Sequence, residues 1–306
     1  MFVASELDAW TQQKGPYVVS LGNFDGVHLG HQALLQRLKL RAAEHDARSI
    51  VLTFSNHPSE ILRPAASSCR LCTVEHRLRL IQKAGIDSVA LLDFTPQFAE
   101  QSAEEFIQLL RNHLHLSGLV LGYDAAFGKD RGGSRELLQQ LSDRFGFFVE
   151  YIPPMELHGT SVSSTKIRGL LRAGELSKAS ELLGRPYSVL GPVIYGAGKG
   201  AGLGFPTLNL DVDGLCLPPS GVYAAWVGLD GRRYPAVANL GLAPTLQERE
   251  TPVLEAHLLG DAVEAYGMEA EITPVAFLRE EQKFESKEAL VAQIQRDIAR
   301  ALAALA

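Results

Sequence analysis

The sequence has few cysteines, no excess of positive charge and no long apolar run. The sequence has only three cysteines, Cys69, Cys72 and Cys216. A small and odd number of cysteines does not fit the disulfide framework of a secreted domain. Acidic residues (35) outnumber basic ones (29), and the formal net charge of −6 argues against general binding to nucleic acid or to an anionic membrane. No apolar segment approaches the ~18 residues that span a bilayer, and no basic then apolar leader opens the chain. These absences predict a cytoplasmic protein with neither nucleic acid nor membrane as a partner.

The cysteines nevertheless include one pair with a metal-like spacing. Cys69 and Cys72 flank two residues, and His76 follows four residues later. A fourth ligand at a suitable spacing is missing, so two ordinary thiols are the preferred interpretation and a zinc or redox site is the minor alternative.

The composition is that of a globular protein with room for two domains. The chain has 306 residues, of which 46% are hydrophobic and 21% are charged, and a domain typically takes about 150 residues. In the first half, short apolar runs alternate with helix-like segments, which predicts a parallel α/β sheet. The runs are 17–21, 50–54, 88–92, 119–121 and 147–152, and the helix-like segments include 32–44, 74–84 and 103–113.

The second half is punctuated by glycine and proline, which is typical of an antiparallel barrel or sandwich. Apolar residues then recur about every fourth position from Leu290 to Leu302, which predicts one amphipathic closing helix. Because Gly184 can end a helix and Pro186 blocks its continuation, we place the domain boundary there, giving domains 1–184 and 185–306. The short runs of this half are 189–195, 208–212, 222–227, 253–259 and 271–277.

A pair of histidines stands where the first long apolar run meets a helix. Residues 22–31 read Gly-Asn-Phe-Asp-Gly-Val-His-Leu-Gly-His, so His28 and His31 are three apart on one face of the first helical turn. The helix N-terminus offers free N–H groups, and the glycines let a ligand approach the backbone. At the carboxyl edge of a parallel sheet, this arrangement predicts a phosphate site. A capping or surface role is the alternative for a histidine pair taken alone.

This segment resembles the H-x-G-H signature of the nucleotidylyltransferase superfamily. More closely, it is similar to the adenylyltransferase half of bacterial bifunctional riboflavin kinase/FAD synthetases. Three further segments match that half in the same order: 53–58 (Thr-Phe-Ser-Asn-His-Pro), 121–129 (Leu-Gly-Tyr-Asp-Ala-Ala-Phe-Gly-Lys) and 163–168 (Ser-Ser-Thr-Lys-Ile-Arg). The resemblance implies a Rossmann-like nucleotidylyltransferase domain that transfers an adenylyl group from ATP to FMN, giving FAD and pyrophosphate.

The resemblance also implies roles for individual residues. His28 and His31 hold the triphosphate, and Arg168 and Ser164 meet the phosphates from the opposite side; a plain helix cap is compatible with this role for the serines. Positioning and charge stabilisation dominate, because a phosphate oxygen of FMN attacks the α-phosphorus of ATP directly. For His57 a turn role is as plausible as ligand contact. The implied ATP or phosphate contacts are Gly22, Asn23, Phe24, Asp25, Gly30, Ser163, Ser164 and Thr165, and the flavin or nucleotide contacts are Asp124, Phe127 and His57.

A second glycine-rich segment follows the predicted boundary. Residues 196–209 read Gly-Ala-Gly-Lys-Gly-Ala-Gly-Leu-Gly-Phe-Pro-Thr-Leu-Asn, with five glycines at alternate positions. Lys199 is followed by Gly200 and the chain continues as a strand, which excludes a Walker A loop. A flexible hairpin without a binding role is the alternative interpretation of this segment.

The end of this segment, Gly-Phe-Pro-Thr-x-Asn, resembles the signature of riboflavin kinases, and stretches 236–241, 254–258, 266–267 and 278–284 continue the likeness. Thr207 and Asn209 are two apart on an extended chain, so their oxygens face the same way and can ligate Mg2+ beside the phosphates of ATP. Glu255 is then the base that takes the proton of the ribityl 5′-hydroxyl, with a solvated strand residue as the alternative. The implied ATP contacts are Gly196, Gly198, Lys199, Gly200 and Gly204, and the implied flavin contact is Arg279.

Together the two likenesses cover nearly the whole chain. They imply an α/β nucleotidylyltransferase domain followed by a riboflavin kinase-like antiparallel β-barrel with a closing helix, which makes FMN and then FAD from riboflavin, ATP and Mg2+. Two alternatives stay open: another H-x-G-H nucleotidylyltransferase fused to a barrel, and an FAD synthetase whose second domain is a regulatory flavin-binding module. An aminoacyl-tRNA synthetase is disfavoured by the acidic charge and short length.

The sequence departs from the family pattern at four positions. Asn56 stands where proline is usual, Ala125 where phenylalanine is usual, and Ala201 and Ala243 where arginine is usual. The two missing arginines predict weaker ATP binding at the kinase site, and the missing phenylalanine predicts a looser flavin contact in the first domain.

Overall fold

A computed structural model describes residues 1–5, 15–63, 69–125, 127–196, 200–244, 250–260, 263 and 265–306 of the chain. By their internal contacts the residues fall into two compact units. One unit comprises Met1–Ser68 and Arg77–Ser163, and the other comprises Cys69–His76 and Ser164–Ala306. The first contains a parallel sheet and the second a closed antiparallel barrel, so both predicted architectures are confirmed.

The first unit is built on six parallel strands in the order β1-β4-β3-β2-β5-β6. Its central strands are almost wholly apolar because helices cover both faces of the sheet. The strand order reverses between β2 and β5, which makes their carboxyl ends the topological switch point where parallel sheets bind ligands. The strands are β1 (Phe2–Ala4), β2 (Tyr17–Leu21), β3 (Arg48–Phe54), β4 (Ser88–Leu92), β5 (Leu116–Gly122) and β6 (Phe148–Ile152).

Helices complete this unit, and the longer ones bury an apolar side. The core on one face contains Leu35 and Leu38 with Ile81, and the core on the other contains Phe106 and Leu110. The helices are α1 (Leu29–Glu44), α2 (Pro58–Leu62), α3 (Val74–Lys83), α4 (Pro96–Ala99), α5 (Ala103–Leu114) and α6 (Arg135–Phe145), and a small hairpin joins β7 (Glu156–Leu157) to β8 (Thr160–Ser161).

The second unit begins with α7 (Ser164–Arg172) and α8 (Leu176–Leu183) and continues as a barrel in the order β9-β10-β13-β12-β11-β14. The predicted closing helix is present as α9 (Lys287–Leu305), which packs Ala301 and Leu305 against the barrel. The strands are β9 (Val189–Ile194), β10 (Leu208–Asp211), β11 (Gly221–Leu229), β12 (Arg232–Pro244), β13 (Glu250–Leu258) and β14 (Glu269–Arg279).

The compact units divide the chain elsewhere than the predicted boundary between residues 184 and 185. Gly184 does end α8, in a left-handed conformation with φ 70°. However, α7 and α8 have their contacts within the unit that contains the barrel. The boundary at 184/185 therefore stays a prediction.

Among the residues that the structure describes, no helix combines the length and apolar character needed to cross a membrane.

A buried ion pair ties α9 to the barrel. Arg279, at the end of β14, donates Nε and Nη2 to the carboxylate of Asp297, the latter at 2.8 Å, and Gln293 adds a bond of 2.9 Å. The Asp297 side chain is only 2% exposed. Removing one partner of a buried pair leaves the other charge buried and unpaired, which lowers the free energy of unfolding by about 3–5 kcal/mol.

We therefore expect Asp297→Ala to lower the free energy of unfolding of the barrel by about 3 kcal/mol, measured by urea unfolding. Glu175→Gln, which breaks an exposed ion pair with Lys178 in the same unit, serves as the control and should cost less than about 1 kcal/mol. Equal stability losses in the two variants would contradict this assignment.

Candidate active sites

The histidine pair lies at the start of α1, at the switch point of the sheet. His28 is the N-cap residue, and its Nδ1 accepts the backbone N–H of His31 at 3.3 Å. This bond makes Nδ1 an acceptor, so the ring proton of His28 is on Nε2, where it can be donated to an anion. The two imidazoles stack, with centroids 3.7 Å apart and planes inclined by 14°. The prediction that both rings lie together is confirmed, although His28 precedes the first turn.

Electrostatics keep the second imidazole neutral. The pKa of His31 lies well below its usual 6.5 because burial, the neighbouring His28 and the charge of Arg77 all disfavour the imidazolium form. The Nδ1 atom of His31 is buried without a hydrogen-bond partner in the described part of the chain. The pair thus places a neutral His31 imidazole and the Nε2 donor of His28 beside the N-terminus of a helix, which is an arrangement suited to phosphate.

The loop before the histidines is folded tightly against them. Phe24 and Val27 adopt φ of 50° and 40°, in the left-handed region that non-glycine residues rarely occupy. Both side chains are buried, and the Phe24 ring lies 5.1 Å from that of His31. A Cβ on Gly30 would lie 3.3 Å from the His28 ring. Phe24 therefore supports His31, and only its backbone remains for the predicted ligand contact.

Two polar residues of this loop, Asn23 and Asp25, are fixed by hydrogen bonds or by burial. Asp25 is buried, and Asn23 accepts two hydrogen bonds from Arg77, a residue outside the sequence motifs. The sequence signal for Arg77 is its position on α3 four residues before the core residue Ile81, on the buried side of the helix.

The predicted flavin contacts have different surroundings. Asp124 is exposed just after β5 at the switch point, and Phe127 packs edge-on against Phe106 at 5.2 Å. His57 is the N-cap of α2, where its Nδ1 accepts the backbone N–H of Ser59 at 3.1 Å. The turn role considered for His57 is thus present, and its flavin contact stays a prediction.

Two of the departures from the family pattern lie in the same region. Asn56 forms a two-way pair with the backbone of Phe94, donating at 2.9 Å and accepting at 2.8 Å. Its amide thereby fixes the turn after β3 by hydrogen bonds. Ala125 packs against the core that contains Phe106, and so do the partly buried rings of Phe94, Phe98 and Phe127. Their ring contacts form without the phenylalanine that is usual at position 125.

The third motif of the adenylyltransferase half continues into the other unit. Ser163 precedes α7, Ser164 begins it, and Thr165 is exposed. Arg168 is buried, and its Nε donates to the backbone carbonyl of Cys69 at 2.7 Å. The joint action of Ser164 and Arg168 with the histidine pair stays a prediction.

The cysteines do not form a metal centre in the described part of the chain. All three are free, and no group of three or more His, Cys, Asp or Glu side chains there is arranged to hold a metal ion. The Cys69 sulfur instead accepts Arg172 Nη2 at 3.1 Å.

In the barrel, strand register brings three polar residues into one row. Asn209 on β10 is directly opposite Glu255 on β13, and Glu255 is directly opposite Asn239 on β12. Directly opposed side chains face the same side of a sheet. The predicted metal ligand and the predicted base are therefore neighbours, and Asn239 is a third member that spacing alone could not reveal.

The surroundings of Asn209 fit a divalent cation. Asn209 is 3% exposed, and its Oδ1 has no hydrogen-bond partner within the described ranges. A Cβ on Gly196 would lie 2.8 Å from that oxygen, and a Cβ on Gly200 would lie 3.5 Å from Thr207 Cγ2 and overlap the Phe205 carbonyl. A buried amide oxygen with a threonine hydroxyl two residues away is an oxygen donor set of the kind that Mg2+ takes.

Four further residues are predicted to contact ATP or flavin at this site: Gly198, Lys199, Gly204 and Arg279. Gly198 and Lys199 lie outside the described residues. Gly204 has φ 87°, a conformation that favours glycine. The Arg279 guanidinium is engaged by Asp297 and by the Glu280 carbonyl at 2.9 Å, and its flavin contact stays a prediction.

A cavity of about 700 Å³ opens beside Thr207. His257, two residues after Glu255, holds its rim, because its Nδ1 is 2.8 Å from the Pro206 carbonyl oxygen and its ring packs edge-on against Phe205. A volume of this size accepts a nucleoside-sized ligand. Its lining includes Phe205, Thr207, His257, Tyr266, Ile298 and Leu302.

Comparison with known proteins identifies both halves. The family model described as FAD synthetase matches residues 10–166, and the model described as riboflavin kinase matches residues 183–305. The chain thus combines a nucleotidylyltransferase domain with a kinase barrel. It belongs to the family of bifunctional riboflavin kinase/FMN adenylyltransferases, as the motifs predict.

Two curated relatives and one solved structure show the extent of the likeness. The bifunctional riboflavin kinase/FMN adenylyltransferase of Pseudomonas fluorescens is 39% identical over 94% of this chain and 93% of its own length. That of Escherichia coli K12 is 36% identical over 92% of this chain and 90% of its own. A crystal structure described as a macrolide-efflux protein from Streptococcus pneumoniae superposes with a TM-score of 0.81 at 28% identity, covering 98% of both chains.

Proposed function

We propose that the chain converts riboflavin to FAD in two ATP-dependent steps, one in each domain. The barrel phosphorylates riboflavin to FMN, and the parallel-sheet domain transfers the adenylyl group of a second ATP to FMN with release of pyrophosphate. The observation that carries this proposal is that each domain has its own candidate phosphate site, the stacked histidines in one and the row of Asn209, Glu255 and Asn239 in the other.

Adenylyl transfer in this proposal relies on hydrogen-bond donors rather than on a covalent intermediate. An FMN phosphate oxygen attacks the α-phosphorus of ATP, and the bond to the pyrophosphate oxygen breaks. His28 Nε2 and His31 donate to the phosphates as charge develops, together with the N–H groups of the first turn of α1. Arg168 and Ser164 add donors, with the Arg168 guanidinium suited to phosphate by its forked geometry.

Phosphoryl transfer in the barrel relies on a base and an ordered nucleotide. The 5′-hydroxyl of riboflavin attacks the γ-phosphorus of ATP, its proton passes to the Glu255 carboxylate, and ADP leaves. Asn239 and Asn209, directly opposite Glu255 on the flanking strands, border the same site. The cavity beside Thr207 then receives the nucleotide.

Mg2+ is the ion that we propose for the barrel, where Thr207 and Asn209 would hold it. When bound with ATP, such an ion neutralises phosphate charge. The buried Oδ1 of Asn209, which has no hydrogen-bond partner among the described residues, supports this assignment. We propose the cytoplasm as the compartment, which the three free cysteines support.

The proposal is tested by incubating the purified protein with riboflavin, ATP and Mg2+ and following flavins by chromatography. FMN and then FAD should appear. FAD formed only from supplied FMN would favour a regulatory second domain, and FMN without FAD would favour another nucleotidylyltransferase substrate. Folded protein that forms neither product overturns the proposal.

Gly196→Ala is expected to lower FMN formation by about tenfold or more, because the added methyl group displaces the Asn209 amide. Gly202→Ala is a matched control in the same segment, since its Cβ meets no described atom within 4 Å, and it should retain wild-type turnover. Steady-state kinetics with varied ATP and Mg2+ measure both variants. Equal activities of the two variants would show that FMN formation does not require the close approach of Gly196 to the Asn209 amide.

A further inference from the structure

Arg77 is a buried cation beneath the histidine site. It lies on α3 with 6% of its surface exposed, and arginine is rarely buried unless it is paired. Its Nη1 donates to the backbone oxygen of Asn23 at 2.8 Å and to the side-chain Oδ1 of Asn23 at 3.1 Å. Its Nη2 donates to the backbone oxygen of Phe54. These two nitrogens thus donate to three acceptors among the described residues.

These acceptors lie at the carboxyl ends of two neighbouring strands. Phe54 is the last residue of β3, and Asn23 follows the end of β2 by two residues. Thr53 adds a hydroxyl bond of 3.2 Å to the same Asn23 oxygen. Backbone oxygens beyond the last ladder pair need other donors. The forked guanidinium supplies them and joins the two strand ends where the phosphate-site loop begins.

The charge of Arg77 also acts on the histidine pair. Arg77 and His28 are the two positive or titratable neighbours that, with burial, lower the pKa of His31. A fixed cation at this place favours the neutral imidazole and attracts phosphate through the same field. Lysine would keep the charge, but it lacks the planar fork that reaches separated acceptors in one plane.

We propose that Arg77 is a positioning residue for adenylyl transfer, which holds the Asn23 loop to the end of β3 and presents a fixed positive charge to His31. This inference rests on the proposed transfer at the histidine site. Arg77 acts through Asn23 and His31 and takes no part in bond making. Its removal should therefore reduce the turnover of FAD formation and leave FMN formation in the barrel unchanged.

The test compares Arg77→Lys and Arg77→Met with Arg79→Met, an exposed arginine on the same helix. FAD formation from FMN and ATP is measured across pH, with FMN formation from riboflavin in the same preparation as the control for the barrel and circular dichroism as the control for folding. We expect kcat to fall by about tenfold in Arg77→Lys and by about 10²-fold in Arg77→Met, as for a misplaced reacting group. Arg79→Met should match the wild type.

The pH profile separates the charge from the hydrogen bonds. Loss of the cation in Arg77→Met allows the pKa of His31 to rise, so the neutral ring is lost at a higher pH and the acid limb of FAD formation moves upward. Arg77→Lys keeps the cation and should keep the wild-type limb. A purely structural role would lower activity in both variants without moving either limb.

The outcomes distinguish this inference from the function on which it rests. Wild-type kcat and pH profile in both Arg77 variants, with FAD formation lost in His28→Asn, would overturn the role of Arg77 alone. If Arg77→Met does not fold, wild-type kinetics in Arg77→Lys overturn it equally. No FAD from the wild type, or full activity in His28→Asn, would instead overturn the proposed transfer at the histidine site.

Discussion

Glu255→Gln is expected to lower the turnover of riboflavin phosphorylation by about 10²- to 10⁴-fold, which is the usual contribution of a general base. Glutamine has nearly the same shape and can still hydrogen-bond the 5′-hydroxyl, but it cannot take the proton. Riboflavin affinity should therefore be nearly unchanged, so the loss falls on kcat and not on KM. Flavin binding by fluorescence and FMN formation by chromatography measure the two quantities on one preparation.

Asp211→Asn is the matched control for this variant. Asp211 is an exposed carboxylate on β10, one strand away from Glu255. Its Oδ1 accepts the backbone N–H of Asp213 at 3.0 Å, and asparagine can accept the same bond. FAD formation from supplied FMN should persist in both variants, because the first domain does not use these carboxylates. Normal FMN formation in Glu255→Gln would return Glu255 to the role of a solvated strand residue.

A site made of consecutive residues is the kind that the sequence predicts best. The segment 22–31 carries its own strand end, glycines and helix start, so the stacking of His28 and His31 follows from local geometry. The glycine-rich segment is a second example, since Gly196 and Gly200 lie close to Asn209 and Phe205 for steric reasons. In both places, neighbours in sequence are also neighbours in the fold.

Contacts that depend on strand register or on a distant element are the ones that the sequence predicts least well. The strand β12 (Arg232–Pro244) is absent from the predicted runs because Arg233, Pro235 and Gly241 interrupt its apolar pattern. Pairing with β11 and β13 on both sides nevertheless builds it and places Asn239 opposite Glu255. Arg77 was missed for a similar reason, because its acceptors belong to two other elements.

Arg279 illustrates a different limit. Its position in a stretch similar to riboflavin kinases predicts a flavin contact, yet its guanidinium also forms the buried pair with Asp297. A motif match shows that this sequence has the residue type that is usual in the family at that position. A structural role and a ligand-binding role can both require that residue type, so the match alone does not separate them. Only the fold shows the contact with α9, because Asp297 lies on a separate helix.

His28→Asn is expected to lower FAD formation by about 10²- to 10³-fold, the usual effect of removing one donor to developing charge. Asparagine is a good N-cap residue and can still accept the His31 backbone N–H that His28 accepts at 3.3 Å. Helix α1 should therefore stay intact while the Nε2 donor and the stacked ring are lost. His28→Ala removes the cap as well and should abolish FAD formation.

Two comparisons make the His28 result specific. His45→Asn changes an exposed histidine at the other end of α1, where it stacks on Phe148 at 4.4 Å, and should leave FAD formation unchanged. FMN formation from riboflavin should be normal in all three variants, because the barrel binds its own ATP. If FMN formation fell as far as FAD formation in His28→Asn, the two reactions would share one nucleotide site. That result would contradict the assignment of separate phosphate sites to the histidine pair and to the row of Asn209, Glu255 and Asn239.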